Sequence, residues 1–531
     1  VGKFSTIASV KQRIDVSARV ASALLWLVVG ACCGAPLVWL VGRLLFDWSA
    51  LAPALLDERS FEALARTIIL NGLAALAACV LAIAPALWIG SSRRPWLAIT
   101  LVALPLLLPS IVITYAWRES INSLGCMPRP GTRLDELRCA LTLAGWLWPI
   151  PALAIGLALR RLDRALLWHA RIDGALFSII LRQLRPAILI GITGAFVLAI
   201  QEFAVYETTG ILVVSVVVRQ TFEDFNFDQS TRLIHATATM LPLILLTLGL
   251  ALAALLTARH ASHDHDSSSD RTKLNLPPVW KILAWLITAL ATLGPIGALI
   301  LLHRKPFDVN EILNSMGLNL LASAEYALTT AIIALLIGIT ACFVRHRALT
   351  VLACAVFLIG GQLIAIVLIR TLNDPDHLIL TYLYDSPLIA TISNLSRFAW
   401  IALAAGLFTW QPAWRSLRDM AASEGASRSQ AARHIILPMA MPILLAATLI
   451  VAALSFTEVA ATILIQPSGS LVAPVYRWFG VEPSGSIVPM LMTWVHIQRY
   501  DPLIEASLVV VACVLVLGLI ASWFGRRVKW E

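Results

Sequence analysis

The stretch Gln411–Pro442, QPAWRSLRDMAASEGASRSQAARHIILPMAMP, is polar and basic and lies between two long apolar runs. A proline and a tryptophan open it, helix formers run through Ala422, Gly425 interrupts, Gln430–Ile436 resumes, and Pro438 follows. That order predicts a helix, a glycine bend, a second helix and a proline stop. A connection between spans needs only a few residues, so about thirty with two helical patterns predict a docking surface for something outside the chain.

The flanking sequence sets the class. Hydrophobic residues make up 59% of the chain and charged ones 13%, with a mean hydropathy of +0.83, whereas soluble domains carry about a quarter charged residues. The chain is therefore expected to be an all-α integral membrane protein. Runs long enough to cross the hydrocarbon fall at residues 20–42, 64–90, 95–117, 139–159, 187–209 and 234–257, then at 279–302, 323–344, 349–369, 391–410, 443–465 and 503–524. This gives about 12 transmembrane helices as two homologous six-helix halves, residues 1–259 and 279–531. The polar stretch 260–278 reads as the linker between them. Its His260, His263, His265 and Asp266 are read as a solvated tether with no metal site, since nothing fixes ligand geometry.

An even span count puts both termini on one side. That side carries 25 Lys and Arg against 9 Asp and Glu, and the other carries 15 against 22. By the positive-inside rule the termini and the 411–442 stretch face the cytoplasm. The basic balance is thus a topology signal, and nucleic acid is not an expected partner. The basic start leads into an apolar run too long for a signal peptide, so the first span is expected to stay as an anchor. Six of the eight cysteines fall within spans as packing residues, while Cys126 and Cys139 flank an outer loop. Either these two form a disulfide or Cys139 begins its helix.

A repeat also runs through the halves. Glu202 and Glu458 stand 15 residues into the fifth and eleventh runs, and Arg219 and Arg477 follow them. Carboxylates at that depth are costly unless they face a cavity or a partner. Two readings stay open: Glu202 and Glu458 line a pathway that favours a cation, or they satisfy Arg219, Arg477 or helix ends near the outer interface. Tyr206, Glu207 and Arg397 share that ambiguity. Pro105 and Pro109 are expected to break the third run, where neighbouring helices or cavity water must repair the backbone. The ninth run, with Gly360-Gly361-Gln362 in place of the prolines, is expected to depart from it.

Asp419, Ala421, Gly425, Ile435, Leu437 and Pro438 stand at the spacing of the EAA loop, so the chain resembles permeases of binding-protein-dependent ABC importers. Here Asp419 replaces the family's Glu and Met420 its first Ala. The counterpart at Arg160–Pro186 keeps Ala170, Asp173, Gly174 and Ala175 but puts Trp168 at the acidic position. The fused layout is most similar to ferric-iron permeases, with thiamine permeases close behind and polyamine and sulfate as further candidates. The resemblance implies the type I ABC importer permease fold in a bacterial inner membrane. It also implies two copies of a separate ATP-binding subunit gripping the loops, an outer substrate-binding protein, and transport of a small solute, best guessed as ferric iron, by alternating access. No cofactor is implied for this chain, since ATP would be used by the partner subunits.

None of the six lysines falls in a Gly-x4-Gly-Lys-Ser/Thr pattern, and there is no His-Glu-x2-His helix or Gly-x-Ser-x-Gly elbow. The expectation is a transport subunit and not an enzyme. The alternative is a self-contained 12-span secondary transporter using Glu202 and Glu458 for ion coupling. A channel or scaffold is a third reading.

Overall fold

The computed structural model of the chain describes residues 19–55, 57–126, 128–162, 168–169, 171–223, 229–262, 277–303, 305, 307–373, 376–465, 485–497 and 500–527. Arg477, Ala170 and most of the 260–278 linker lie outside them. The described residues are helical and contain no strand. Ten helices among them are long and apolar enough to cross a membrane, and the number is twelve when each of two bent pairs is counted as one span.

These twelve follow the expected order, but several begin earlier than hydropathy indicates. The second span is Glu58–Ser91, and Asp57 caps it by accepting the Ser60 N–H at 3.2 Å. The eighth is Val309–Phe343, and Asp308 accepts the Asn310 N–H at 2.9 Å. A carboxylate at a helix start satisfies N–H groups that have no partner within the helix, so these polar first turns are helical although hydropathy passes over them. Asp57 and Asp308 occupy matched places in the two halves, since 308 − 57 is 251.

The same offset marks a shared break. The third span is two helices, Pro95–Leu107 and Ser110–Ser123, bent by 80° at Leu108-Pro109. Proline forces the residue before it out of the helical region, and Leu108 is extended at φ −68°, ψ 135°. The ninth span is likewise two helices, Arg347–Ile359 and Gly361–Leu372, bent by 101° at Gly360. The ninth run departs from the third in its residues, yet both spans are broken and bent. Gly360 has φ 96°, ψ 151°, a conformation open essentially to glycine alone. It lies 251 residues beyond Pro109 (360 − 109), so one half breaks its helix with proline and the other with glycine.

The fifth and eleventh spans are shorter than expected at their far ends. The fifth runs Leu176–Gln201 and stops before Glu202, with a short helix Ala204–Glu207 after it. The eleventh, Ser429–Phe456, stops before Glu458 and is followed by Thr462–Ile465.

The helices form two compact units that cut across the sequence halves. One gathers the chain up to Phe46, Met316–Val488 and the chain from Val516; the other gathers Asp47–Ser315 and Pro489–Leu515. Within the first unit, the first span, Arg19–Phe46, packs on the ninth and on the tenth, Leu388–Phe408. Within the second unit, the seventh span, Pro278–Leu302, packs on the second and third. The division of the sequence at the linker and the division in space are therefore different partitions.

In the first unit the eighth and tenth spans approach so closely at Gly406 that a Cβ there would lie 2.5 Å from Ala341 Cβ and 2.7 Å from the Gly338 carbonyl. The fourth span, Arg133–Leu159, meets the second in the same way, with a Cβ on Gly156 falling 2.8 Å from Ile89 Cβ. Each half thus has a tightly crossed helix pair just before its long loop. Cys126 and Cys139 are free thiols, and Cys139 lies buried within the fourth span, as its helical alternative has it.

Candidate functional site

The 411–442 stretch forms an elbow that stands on this crossing. Its first arm is the helix Pro412–Ser423. Trp414, Leu417, Arg418 and Ala421 recur at helical spacing on its sheltered side, whereas Arg415, Asp419, Met420 and Ser423 are exposed on the other. Trp414 packs on the cluster of Cys342, Ala405, Ala440, Leu444 and Ala447, which draws on the eighth, tenth and eleventh spans. Arg418 reaches under the helix to the Cys342 carbonyl at 3.1 Å and the Thr409 hydroxyl at 3.3 Å, with its guanidinium 3.9 Å from the Trp410 ring centroid. Burial there lowers the Arg418 pKa from the usual arginine value. Trp410 in turn donates its indole N–H to the Ala341 carbonyl at 3.0 Å. One face of the elbow helix is thereby fixed to the bundle and the other is presented outward.

Gly425 makes the bend, with φ +83° and no atom within 4 Å of where a Cβ would stand. Its N–H donates to the Ala422 carbonyl at 3.0 Å, and the Ala426 N–H donates to Ala421 at 2.9 Å. This pair of bonds closes the helix end in a Schellman motif, which needs the left-handed residue that glycine supplies. Ser427 then starts the second arm with a reciprocal capping box, its N–H donating to Gln430 Oε1 at 2.8 Å and its hydroxyl accepting from the Gln430 N–H at 3.2 Å.

The expected stop at Pro438 is corrected. The second arm continues into the membrane as one helix, Ser429–Phe456. Residues Ala432–Ile436 form a wide π turn in which the Leu437 N–H reaches back five residues to the Ala432 carbonyl. A proline within a helix clashes with the carbonyl four residues before it, and a π turn just upstream relaxes that constraint. Of the residues matched to the EAA pattern, Asp419, Gly425 and Pro438 are exposed, Ile435 and Leu437 are half-buried, and Ala421 is buried.

The first half carries a second elbow. Gly174 has φ +68°, and 425 − 174 is again 251; its N–H donates to the Arg171 carbonyl at 3.3 Å and that of Asp173 to His169 at 2.9 Å. Asp173 and Gly174 are exposed. Arg160 ties this loop to the second span, through the carbonyls of Ile89 at 3.3 Å and Ser92 at 3.1 Å.

Both glutamates terminate the helices that the elbows feed. Glu202 Oε1 accepts the Ala204 N–H at 2.9 Å, and Glu458 Oε1 accepts the Ala461 N–H at 3.0 Å. Each carboxylate captures a backbone donor just beyond its helix, which stabilises the break that hydropathy misses. Glu202 touches the broken span of its half directly, and Glu458 meets that of its half through Arg397 of the tenth span. Ser110, at the start of the second piece of the third span, donates to Glu202 at 2.8 Å. Its counterpart is Gly361 (361 − 110 is 251), and the space left there is filled by Arg397, whose Nη1 would lie 2.8 Å from a Cβ on Gly361. Arg397 forms a buried ion pair with Glu458. Glu202 is half-buried and Glu458 buried.

Of the residues whose roles were left open, Arg219 pairs with Glu207 at 3.0 Å and Glu223 at 2.8 Å, and Arg397 is the arginine that meets Glu458. Tyr206 is buried and donates to Asn71 at 2.8 Å. Among the described residues no group of His, Cys, Asp and Glu is placed to hold a metal ion. Fold and site define an all-helical membrane protein of ten to twelve spans. No protein-family model, curated protein or solved structure matches the chain.

Proposed function

We propose that this chain is the transmembrane permease of an ATP-driven importer that receives force through its two elbows from separate ATP-binding subunits. The observation that carries this reading is the division of labour across the Pro412–Ser423 helix, one face bound to the eighth and tenth spans and the other left exposed. A connection without a mechanical task has no need of an Arg418 anchor, a Schellman turn and a capping box in thirty residues.

The second arm of the elbow is continuous with the eleventh span, about 42 Å long at 1.5 Å per residue, which ends beside Glu458. Motion of the elbow is transmitted along this rod to Glu458, through Arg397 to the bend at Gly360, and in the first half along Leu176–Gln201 to Glu202 and the bend at Pro109. The two halves move against each other by alternating access, and an outer substrate-binding protein delivers the solute. Ferric iron is the preferred solute by resemblance alone. The membrane is a bacterial inner membrane with both termini in the cytoplasm. The rival secondary transporter gives Glu202 and Glu458 a task but leaves the anchored elbow without one.

The test is purification of the tagged chain in mild detergent with nucleotide photolabelling of whatever accompanies it. A stoichiometric ATP-binding subunit, lost when Asp419 and Met420 are replaced by arginines, supports the reading. A chain that purifies alone yet transports overturns it.

A further inference from the structure

The first span, Arg19–Phe46, is interrupted near its middle. Residues Gly30–Gly34 form a π turn, in which the Ala35 N–H reaches back five residues to the Gly30 carbonyl. Pro36 follows the last residue of that turn by two, as Pro438 follows Ile436 in the eleventh span, so the chain uses one device twice. Proline has no N–H and crowds the carbonyl four residues before it, which here is that of Cys32. The π turn relieves the crowding, but residue 36 still offers the Cys32 carbonyl no donor.

The tenth span supplies one. Ser396, fully buried, donates its hydroxyl to the Cys32 carbonyl, and Cys33 donates its thiol to the Ser396 carbonyl at 3.8 Å. The Ser396 hydroxyl also stands 2.8 Å from the Ile392 carbonyl, one turn back in its own helix. A hydroxyl has a single proton, so it serves one of these two acceptors at a time. The next residue is Arg397, which meets Glu458 and fills the space at Gly361 beside the ninth-span bend. Where Ser396 docks on the first span therefore sets where Arg397 stands. The first half has no such hydroxyl, since Gly145 occupies the matched position (396 − 145 is 251).

We infer that Ser396 is a clasp that positions Arg397. With its proton on the Cys32 carbonyl it docks the tenth span on the first and sets Arg397 against Glu458. By passing that proton to the Ile392 carbonyl it releases the tenth span without stranding its hydroxyl in the hydrocarbon. An unmade hydrogen bond at that depth is costly, so a contact that opens and closes needs such an exchange. The Cys32 carbonyl is then the one group left open, and it draws the clasp shut again. The inference rests on the transport reading above, in which the tenth span shifts as the bend at Gly360 is driven.

The experiment uses the full chain in right-side-out membrane vesicles loaded with ATP, with radiolabelled ferric citrate as the probe. Ser396→Ala is expected to lower uptake about tenfold and to lower the thermal midpoint in detergent. In a Pro36→Ala background residue 36 offers its own N–H to Cys32, so most of that fall in midpoint is expected to vanish while the fall in uptake persists. A bond with a structural role alone would restore both together. Ser396→Cys faces Cys33, and oxidation with copper phenanthroline is expected to join the two and to arrest uptake until reductant is added. Cys33→Ala is expected to remove that effect. Equal falls in midpoint in both backgrounds, wild-type uptake by Ser396→Ala, absence of the disulfide, or normal uptake by the cross-linked chain overturns the inference. Uptake that needs no ATP-binding subunit yet stops on cross-linking overturns the permease reading and leaves the clasp standing. Wild-type vesicles that take up no ferric citrate overturn the choice of solute, and the midpoints then judge the clasp.

Discussion

Replacing Gly425 isolates the elbow's geometry from everything around it. With φ at +83° and no atom within 4 Å of where a Cβ would stand, a side chain there meets open space, so the effect of substitution comes from the backbone alone. An L-residue held in the left-handed region costs about 1–2 kcal/mol, and a β-branched one costs more. A change of that size shifts the equilibrium between the closed Schellman turn and an opened one about five- to thirtyfold. Asparagine tolerates the left-handed region best after glycine, so uptake is expected to fall in the order glycine, asparagine, alanine, valine. Valine abolishes uptake while leaving membrane insertion intact. The assays are uptake into vesicles and hydrogen exchange at the Gly425 and Ala426 amides, whose bonds to Ala422 and Ala421 close the turn. Exchange should accelerate in the same order as uptake falls. A Gly425→Val chain that transports like the wild type, or an asparagine variant as impaired as valine, refutes the reasoning.

Glu458→Gln leaves the Arg397 guanidinium buried without its counter-charge and is expected to destabilise the protein by about 3–5 kcal/mol, read as a lowered unfolding midpoint in detergent. The double change Arg397→Met, Glu458→Leu is expected to restore much of that stability without restoring uptake, because the link from the eleventh span to the ninth-span bend is gone. Ser110→Ala, which removes the hydroxyl that reaches Glu202, is expected to cost about 1 kcal/mol or slightly more and to lower uptake more than stability. Gly406→Ala forces a methyl against Ala341 and the Gly338 carbonyl, and is expected to lower stability by about 1–3 kcal/mol and to loosen the elbow above it, seen as faster exchange at Trp410 and Arg418.

The number and order of spans were legible because crossing hydrocarbon demands a run of apolar residues whatever the tertiary structure. The bend at Pro109 was legible too, since proline acts locally. The bend at Gly360 was not, because a glycine inside an apolar run is compatible with a straight helix, and only its φ of 96° reveals the break. Hydropathy also carried the fifth and eleventh spans past Glu202 and Glu458, where the carboxylates turn the chain by capturing the Ala204 and Ala461 amides. The Arg397–Glu458 pair joins residues far apart in the chain, and no local pattern announces it. At the elbow, the glycine bend was written in the spacing, but the continuation through Pro438 depends on a π turn whose sequence, ARHII, looks like ordinary helix.

In the proposed mechanism, force made by a separate ATPase enters through the elbows. The direct test is solute uptake by sealed vesicles reconstituted with the purified chain, with and without the ATP-binding subunit and with the substrate-binding protein on the outer side. Uptake is expected only when the ATP-binding subunit and ATP are both present, and to be lost with Gly425→Val. Concentrative uptake by the chain alone, driven by an ion gradient, would contradict the account.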